Sequence, residues 1–220
     1  MLNKYLCLII FSLFSTAGSA TIIGGGVTDY GGGTGTFIEL SVPFEAPVGG
    51  GSRVGDDTFQ NNNLYAFNED QNIVIPSALT VDVGANSSPE VLSEETLVAS
   101  HYVFFDPAGT VRIQGYVDFD ARILGILTST DRLAATDFLA NTGVTYLNPT
   151  LRGLESNTDS VWIDSINDNR LRLDWTASTP GDYVRVLTER SVLAEVPEPG
   201  TLALMSLGLL GLGFSRRKTT

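Results

Sequence analysis

The sequence predicts an all-β body, a single antiparallel β-sandwich with one short helix, lying between two targeting segments. Short apolar runs with a period of two recur between clusters of Gly, Asn, Asp and Pro, as strands separated by turns require. One stretch, 129–140, carries helical spacing instead. No repeat of fixed period runs through the chain, which argues against solenoids and propellers.

Residues 1–20 read as a secretory signal peptide, with Lys4 in the n-region, an apolar stretch at 6–14 and the small residues Gly18-Ser19-Ala20 at the cleavage site. Cys7 is the sole cysteine and falls inside that stretch, without the small residues that a lipoprotein signal places before its cysteine. The exported chain therefore has neither a disulfide framework nor thiol chemistry. Residues 21–35 are glycine-rich, with Gly24, Gly25, Gly26, Gly31, Gly32, Gly33 and Gly35, and predict a flexible or turn-rich lead-in. They match no phosphate-binding glycine motif.

The body proper, 36–195, predicts strands at 36–42, 72–75, 78–83, 97–105, 110–119, 122–127, 144–147, 160–166, 171–176 and 183–187. The clearest alternation is Arg170-Leu171-Arg172-Leu173-Asp174-Trp175, which puts Leu171, Leu173 and Trp175 on one face and the charges on the other. Asn167-Asp168-Asn169 before it suits a hairpin, and Pro180-Gly181 after it suits a type II turn, so 160–187 predicts a three-stranded meander. In the helical stretch, Leu133, Phe138 and Leu139 supply the apolar contacts, and Thr128 or Thr130 can cap the first turn.

Charge narrows the partners. The chain has 25 acidic and 13 basic residues; without Lys4, Arg216, Arg217, Lys218 and Glu198 the body keeps 24 acidic and nine basic, a net of about −15. All nine are arginine. Such a surface repels phosphate backbones and anionic lipid heads, so no nucleic-acid partner is expected, while divalent cations and neutral polysaccharide are compatible with it.

Candidate chemistry is sparse. His101 is the single histidine, so a histidine metal cluster is excluded, and its place in a strand between Ser100 and Tyr102 favours a structural role bonded to backbone or a carboxylate. Asp118, Asp120, Glu94 and Glu95 could in principle supply a carboxylate pair for glycoside hydrolysis. Asp164, Asn167, Asp168 and Asn169 concentrate hard oxygen donors at one turn, the best candidate for a structural Ca²⁺, and Asp56-Asp57 with Asn61-Asn62-Asn63 form a second oxygen-rich loop. Neither fits the EF-hand pattern, and any tight turn also recruits Asn and Asp. Among Trp162, Trp175, Tyr146 and Tyr183, Trp162 is the candidate for sugar stacking. It falls out of phase with Val161 and Ile163, whereas Trp175 is in phase with the leucines.

The C-terminus is the most specific part of the chain. Val196-Pro197-Glu198-Pro199 precedes the apolar run 202–214, and Arg216, Arg217 and Lys218 follow close to the end. Both prolines fix φ and lack an N–H, so Glu198 is expected in an extended segment outside the helix. At about 1.5 Å per residue the run rises roughly 20 Å, short of the roughly 30 Å hydrocarbon core, and Gly208, Gly211 and Gly213 weaken it further. The basic end favours the cytoplasmic face. A plain membrane anchor would account for the helix and the basic end but not for two prolines flanking a glutamate.

This order of Pro-Glu-Pro, apolar helix and basic cluster resembles the PEP-CTERM sorting tail of Gram-negative bacteria. The resemblance implies recognition by exosortase, a membrane transpeptidase, and an association with exopolysaccharide and biofilm production. Within the body, Ser100-His101-Tyr102-Val103-Phe104-Phe105-Asp106-Pro107, Ile123-Leu124-Gly125-Ile126 and Ser178-Thr179-Pro180-Gly181-Asp182-Tyr183-Val184-Arg185-Val186 resemble segments of other PEP-CTERM proteins whose bodies have no assigned activity. The expected protein is exported, held transiently in the inner membrane and delivered to the cell surface or matrix, where its role is non-catalytic, structural or binding. The alternative is a secreted carbohydrate-active hydrolase using paired carboxylates.

Overall fold

The computed structural model describes residues 19–31, 34–155 and 158–190. Residues 1–18 of the expected signal peptide lie outside the described residues, as does the whole sorting tail with Val196, Pro197, Glu198, Pro199, Arg216, Arg217 and Lys218. Among the described residues, no helix is long and apolar enough to cross a membrane.

In chain order the strands are β1 (Ile22–Tyr30), β2 (Phe37–Glu39), β3 (Arg53–Val54), β4 (Leu64–Asn68), β5 (Ile73–Val74), β6 (Leu79–Val81) and β7 (Glu90–Leu92). After them come β8 (Leu97–Phe105), β9 (Val111–Phe119), β10 (Ile123–Leu127), β11 (Thr145–Tyr146), β12 (Ser160–Ile163), β13 (Arg170–Ala177) and β14 (Asp182–Thr188). One helix, α1 (Thr130–Ala135), is followed by a 3-10 turn at Asp137–Leu139. The chain is mostly β, as expected.

The front sheet has the order β1-β9-β13-β12 and is antiparallel throughout. Leu171, Leu173 and Trp175 stand opposite Val117, Gly115 and Ile113. They point into an apolar cluster that also takes Val103, Phe105, Val184 and Val186 from the back sheet. Each fully buried leucine there contributes about 1.5–3 kcal/mol relative to exposure. The opposite face of the front sheet carries the charges: Arg112 pairs with Asp174, Arg170 with Asp118 and Arg172 with Asp164.

The back sheet has the order β10-β14-β8-β4-β2, with β5 also pairing β8. Its second face is covered as well. Tyr65, Phe67, Tyr102, Phe104, Tyr183 and Leu187 pack there against Phe59 of a loop, Val81 of β6, and Leu133 and Leu139 of the helical segment. Aromatic rings dominate this layer, with Phe104 stacked between Tyr65 at 5.2 Å and Tyr183 at 5.8 Å. Burial on both faces is why β14 is buried at every residue, while β9 alternates.

Several expectations are corrected. The glycine-rich lead-in supplies the nine-residue edge strand β1 of the front sheet. Its glycines make room for rings: a Cβ on Gly25 would meet the Phe37 ring at 2.6 Å, and one on Gly26 would meet Tyr116 at 2.8 Å. The meander at 160–187 holds only for the β12–β13 hairpin, because β14 crosses to the back sheet between β8 and β10. The segment between β13 and β14 contains a cis Thr179–Pro180 bond, and Gly181 has a positive φ of 95°, as its expected turn position requires. Pairing is not uniformly antiparallel either, since β2–β4 and β3–β11 are parallel. β4, with its run Leu64-Tyr65-Ala66-Phe67, went unpredicted. In the helix, Leu133 and Leu139 are buried as expected but Phe138 is exposed. Ser129 is the N-cap residue and its side chain makes no cap bond; the Asp82 carboxylate accepts from Thr128 N, Ser129 N and Ser129 Oγ instead.

Candidate functional site

His101 lies on β8, fully buried between the sheets against Phe119. Its Nδ1 is 2.8 Å from Asn68 Oδ1 and its Nε2 is 3.0 Å from Thr188 Oγ1. Burial pulls its pKa down to about 3. The ring is therefore neutral, with Nδ1–H donating to the Asn68 carbonyl and the Thr188 hydroxyl donating to Nε2. Both nitrogens are committed, so the histidine is structural, although its partners are an amide and a hydroxyl rather than backbone or a carboxylate.

On the opposite face of the back sheet, Arg185 of β14 grips Glu69 with two bonds, Nε to Oε2 at 2.7 Å and Nη2 to Oε1 at 3.0 Å. Both side chains are fully buried. Ser100 Oγ donates to Glu69 Oε2 at 2.6 Å, and the Tyr146 hydroxyl donates to Oε1 at 2.7 Å. Arg185 Nη1 donates to Leu133 O and to Thr136 Oγ1, at 3.0 and 2.8 Å. Burial, then Glu69, holds the Tyr146 hydroxyl protonated well above its ordinary value. This network fastens the helical segment to the sheet. Nothing in the sequence singled out Glu69 or Arg185: Arg185 is a lone charge inside a strand pattern and Glu69 sits in a polar loop after β4, and both read as solvent-facing until the covering layer is known.

The expected calcium turn is a hairpin bend. Asp164 Oδ1 accepts from Ile166 N at 2.9 Å and Asn167 N at 3.1 Å, while Oδ2 is bound by Arg172. Arg172 and those two amides push the Asp164 carboxyl down to about 2. Asn167 Oδ1 accepts from Asn169 N, and the Asp168 and Asn169 carbonyls accept from Ile123 N and Phe119 N. The two backbone carbonyls thus hold the hairpin to β9 and β10. In the second loop, Asn61 Oδ1 accepts from Asn63 N and the Tyr65 hydroxyl. The structure adds Asp106 to this loop, which the sequence did not suggest: buried, it accepts from Phe59 N at 3.0 Å. Burial, with Asp57 and Asp56 nearby, pushes its carboxyl up to about 6.

Other candidates separate. Asp118 is gripped by Arg170 and Asp120 Oδ1 accepts from Thr21 N, while Glu94 and Glu95 occupy an exposed turn between β7 and β8. Trp175 and Tyr183 are core residues, in the first and second cluster respectively, and Tyr146 packs partly buried against the second. Trp162 is opposite Arg172 on the edge strand β12, half-buried on the outer face of the front sheet.

The structure does bring three other carboxylates together. Glu155 and Asp159 precede β12, and Asp182 opens β14; one oxygen from each lies within 4.8 Å of the others. Asp182 is 1% exposed, and its Oδ2 has no hydrogen-bond partner among the described residues. Burial first, then Asp159 and Glu155, push its carboxyl up to about 9. A cavity of about 350 Å³ adjoins the group, bordered by Glu155 and Asp159 together with Val83, Thr128, Ser129 and Leu154. No local motif links residues this far apart along the chain.

Compared with known proteins, the chain has no match among curated proteins or solved structures. One family model does match, the PEP-CTERM protein-sorting motif, over residues 195–218, the segment that holds the Pro-Glu-Pro element, the apolar run and the basic end. The chain therefore carries a PEP-CTERM sorting motif behind a body of unassigned activity.

Proposed function

We propose that the protein is exported, processed by exosortase and delivered to the cell surface or exopolysaccharide matrix, where its β-sandwich body serves a non-catalytic structural or binding role. The sorting motif at 195–218 carries this reading. The weak apolar run suits a segment that is handed over and cut, with Arg216, Arg217 and Lys218 holding its end on the cytoplasmic side beforehand. The acidic body supports an uncharged polysaccharide as contact in preference to nucleic acid. On the outer face of the front sheet, Trp162 offers a ring at an edge position where a sugar could stack.

The test replaces Pro197-Glu198-Pro199 by three alanines in an exosortase-bearing host. Wild-type protein is expected at the surface or in the medium, with a mass lacking the apolar run. The alanine variant is expected intact in the inner-membrane fraction. Processing and release of the variant at the wild-type level would refute the reading and leave a plain anchor.

A further inference from the structure

We propose that Glu155, Asp159 and Asp182 form a calcium site that ties the segment before β12 to the start of β14. Two ligands on opposite sides of one Ca²⁺, each about 2.4 Å away, are about 4.8 Å apart. The three carboxylate oxygens lie within 4.8 Å of one another, close enough for side-chain adjustment alone to bring them around a single ion. All-oxygen donors select a hard cation, and export brings the body into compartments where calcium is available to it.

Two further features point to an ion. Among the described residues, Asp182 Oδ2 is a buried oxygen with no hydrogen-bond partner, a state that folded proteins ordinarily avoid. The ion pairs that Arg112, Arg122, Arg132, Arg152, Arg170, Arg172 and Arg185 form among the described residues all go to other carboxylates. Meanwhile Asp159 is already fixed in place: its Oδ1 accepts from Thr176 N at 2.7 Å, and its Oδ2 accepts from Glu155 N at 3.1 Å and Thr158 Oγ1 at 2.9 Å. The adjoining cavity has room for the waters that complete a coordination sphere of six to eight oxygens. An ion here would join the end of the inter-sheet core to the loop that closes it.

The test uses the purified full-length chain, with thermal unfolding and calorimetric titration in CaCl₂ alone against chelator. Saturating Ca²⁺ is expected to raise Tm by about 5 °C, with one ion bound per chain. Asp182→Asn, and separately the exposed Glu155→Gln, are expected to remove the shift, so that a folding failure of the first leaves the second to decide. Asp164→Asn, at the hairpin bend, is expected to keep it. The proposal is overturned if wild-type protein shows no shift or binding, or if the shift survives both Asp182→Asn and Glu155→Gln. Loss of the shift in Asp164→Asn alone also overturns it, by moving the ion to the hairpin.

Discussion

The front and back sheets of this protein obey one backbone geometry and read differently in sequence. β9 and β13 of the front sheet alternate buried and part-exposed residues, because one of their faces meets water. β14 of the back sheet is buried throughout, because loops and the helical segment cover its second face. The consequence lies in the polar residues. Arg170 and Asp118 pair where water can replace either partner, whereas Arg185 and Glu69 pair where water does not reach them. Equal-looking ion pairs thus have unequal roles: the outer ones decorate a sheet, and the inner one joins two layers.

The sharpest way to break this comparison is to remove one acid from each pair. Glu69→Ala strands a buried guanidinium and is expected to lose about 3–5 kcal/mol in urea unfolding. Asp118→Ala on the outer face is expected to lose about 1 kcal/mol or less. Similar losses from the two would show that the covering layer does not exclude water.

The two faces should also separate by pH. His101 has its folded pKa depressed to about 3 from 6.5, so the unfolded chain takes the proton first. Its contribution is complete above about pH 6.5 and is lost as pH falls toward 3, on the order of 4 kcal/mol across that window. Asp164, depressed to about 2 from 3.8, contributes above 3.8 and loses that contribution only as pH falls toward 2. Asp106, raised to about 6, acts in the opposite direction between 3.8 and 6, so the histidine effect is read as the difference between wild type and His101→Gln. A difference that stays constant from pH 7 to pH 4 would contradict the buried neutral ring.

The smallest expected effect lies within β1. Gly25→Ala drives a methyl group into the Phe37 ring and is expected to lose about 1–3 kcal/mol. Gly24→Ala, with nothing within 4 Å of the added Cβ, is expected to change stability by less than about 0.5 kcal/mol. Equal effects would mean that the glycines serve chain flexibility instead of packing.

Where one face meets water, sequence alone was enough. Leu171, Leu173 and Trp175 announced their register because their neighbours are charged, while β8, in the covered back sheet, has the expected bounds, Leu97–Phe105. The sorting segment was legible for a different reason: its order of prolines, apolar run and basic end is read locally, along the chain. The Asp164 bend was recognised as a turn, yet its carboxylate is taken by Arg172, a partner set by the pairing of β12 with β13.

What sequence by itself determined, then, is local: strand periodicity, turn chemistry, net charge and the sorting motif. Tertiary structure alone decided that a glycine-rich stretch becomes an edge strand, because the rings that fill the space above Gly25 and Gly26 come from Phe37 and Tyr116. It decided that β14 leaves the hairpin for the other sheet, and that Glu69 meets Arg185 across 116 positions. It also gathered Glu155, Asp159 and Asp182 at one point. The physical reason is common to all of these: periodicity and propensity act over a few residues, whereas burial, charge pairing and convergence of oxygens depend on which distant segments the fold brings together.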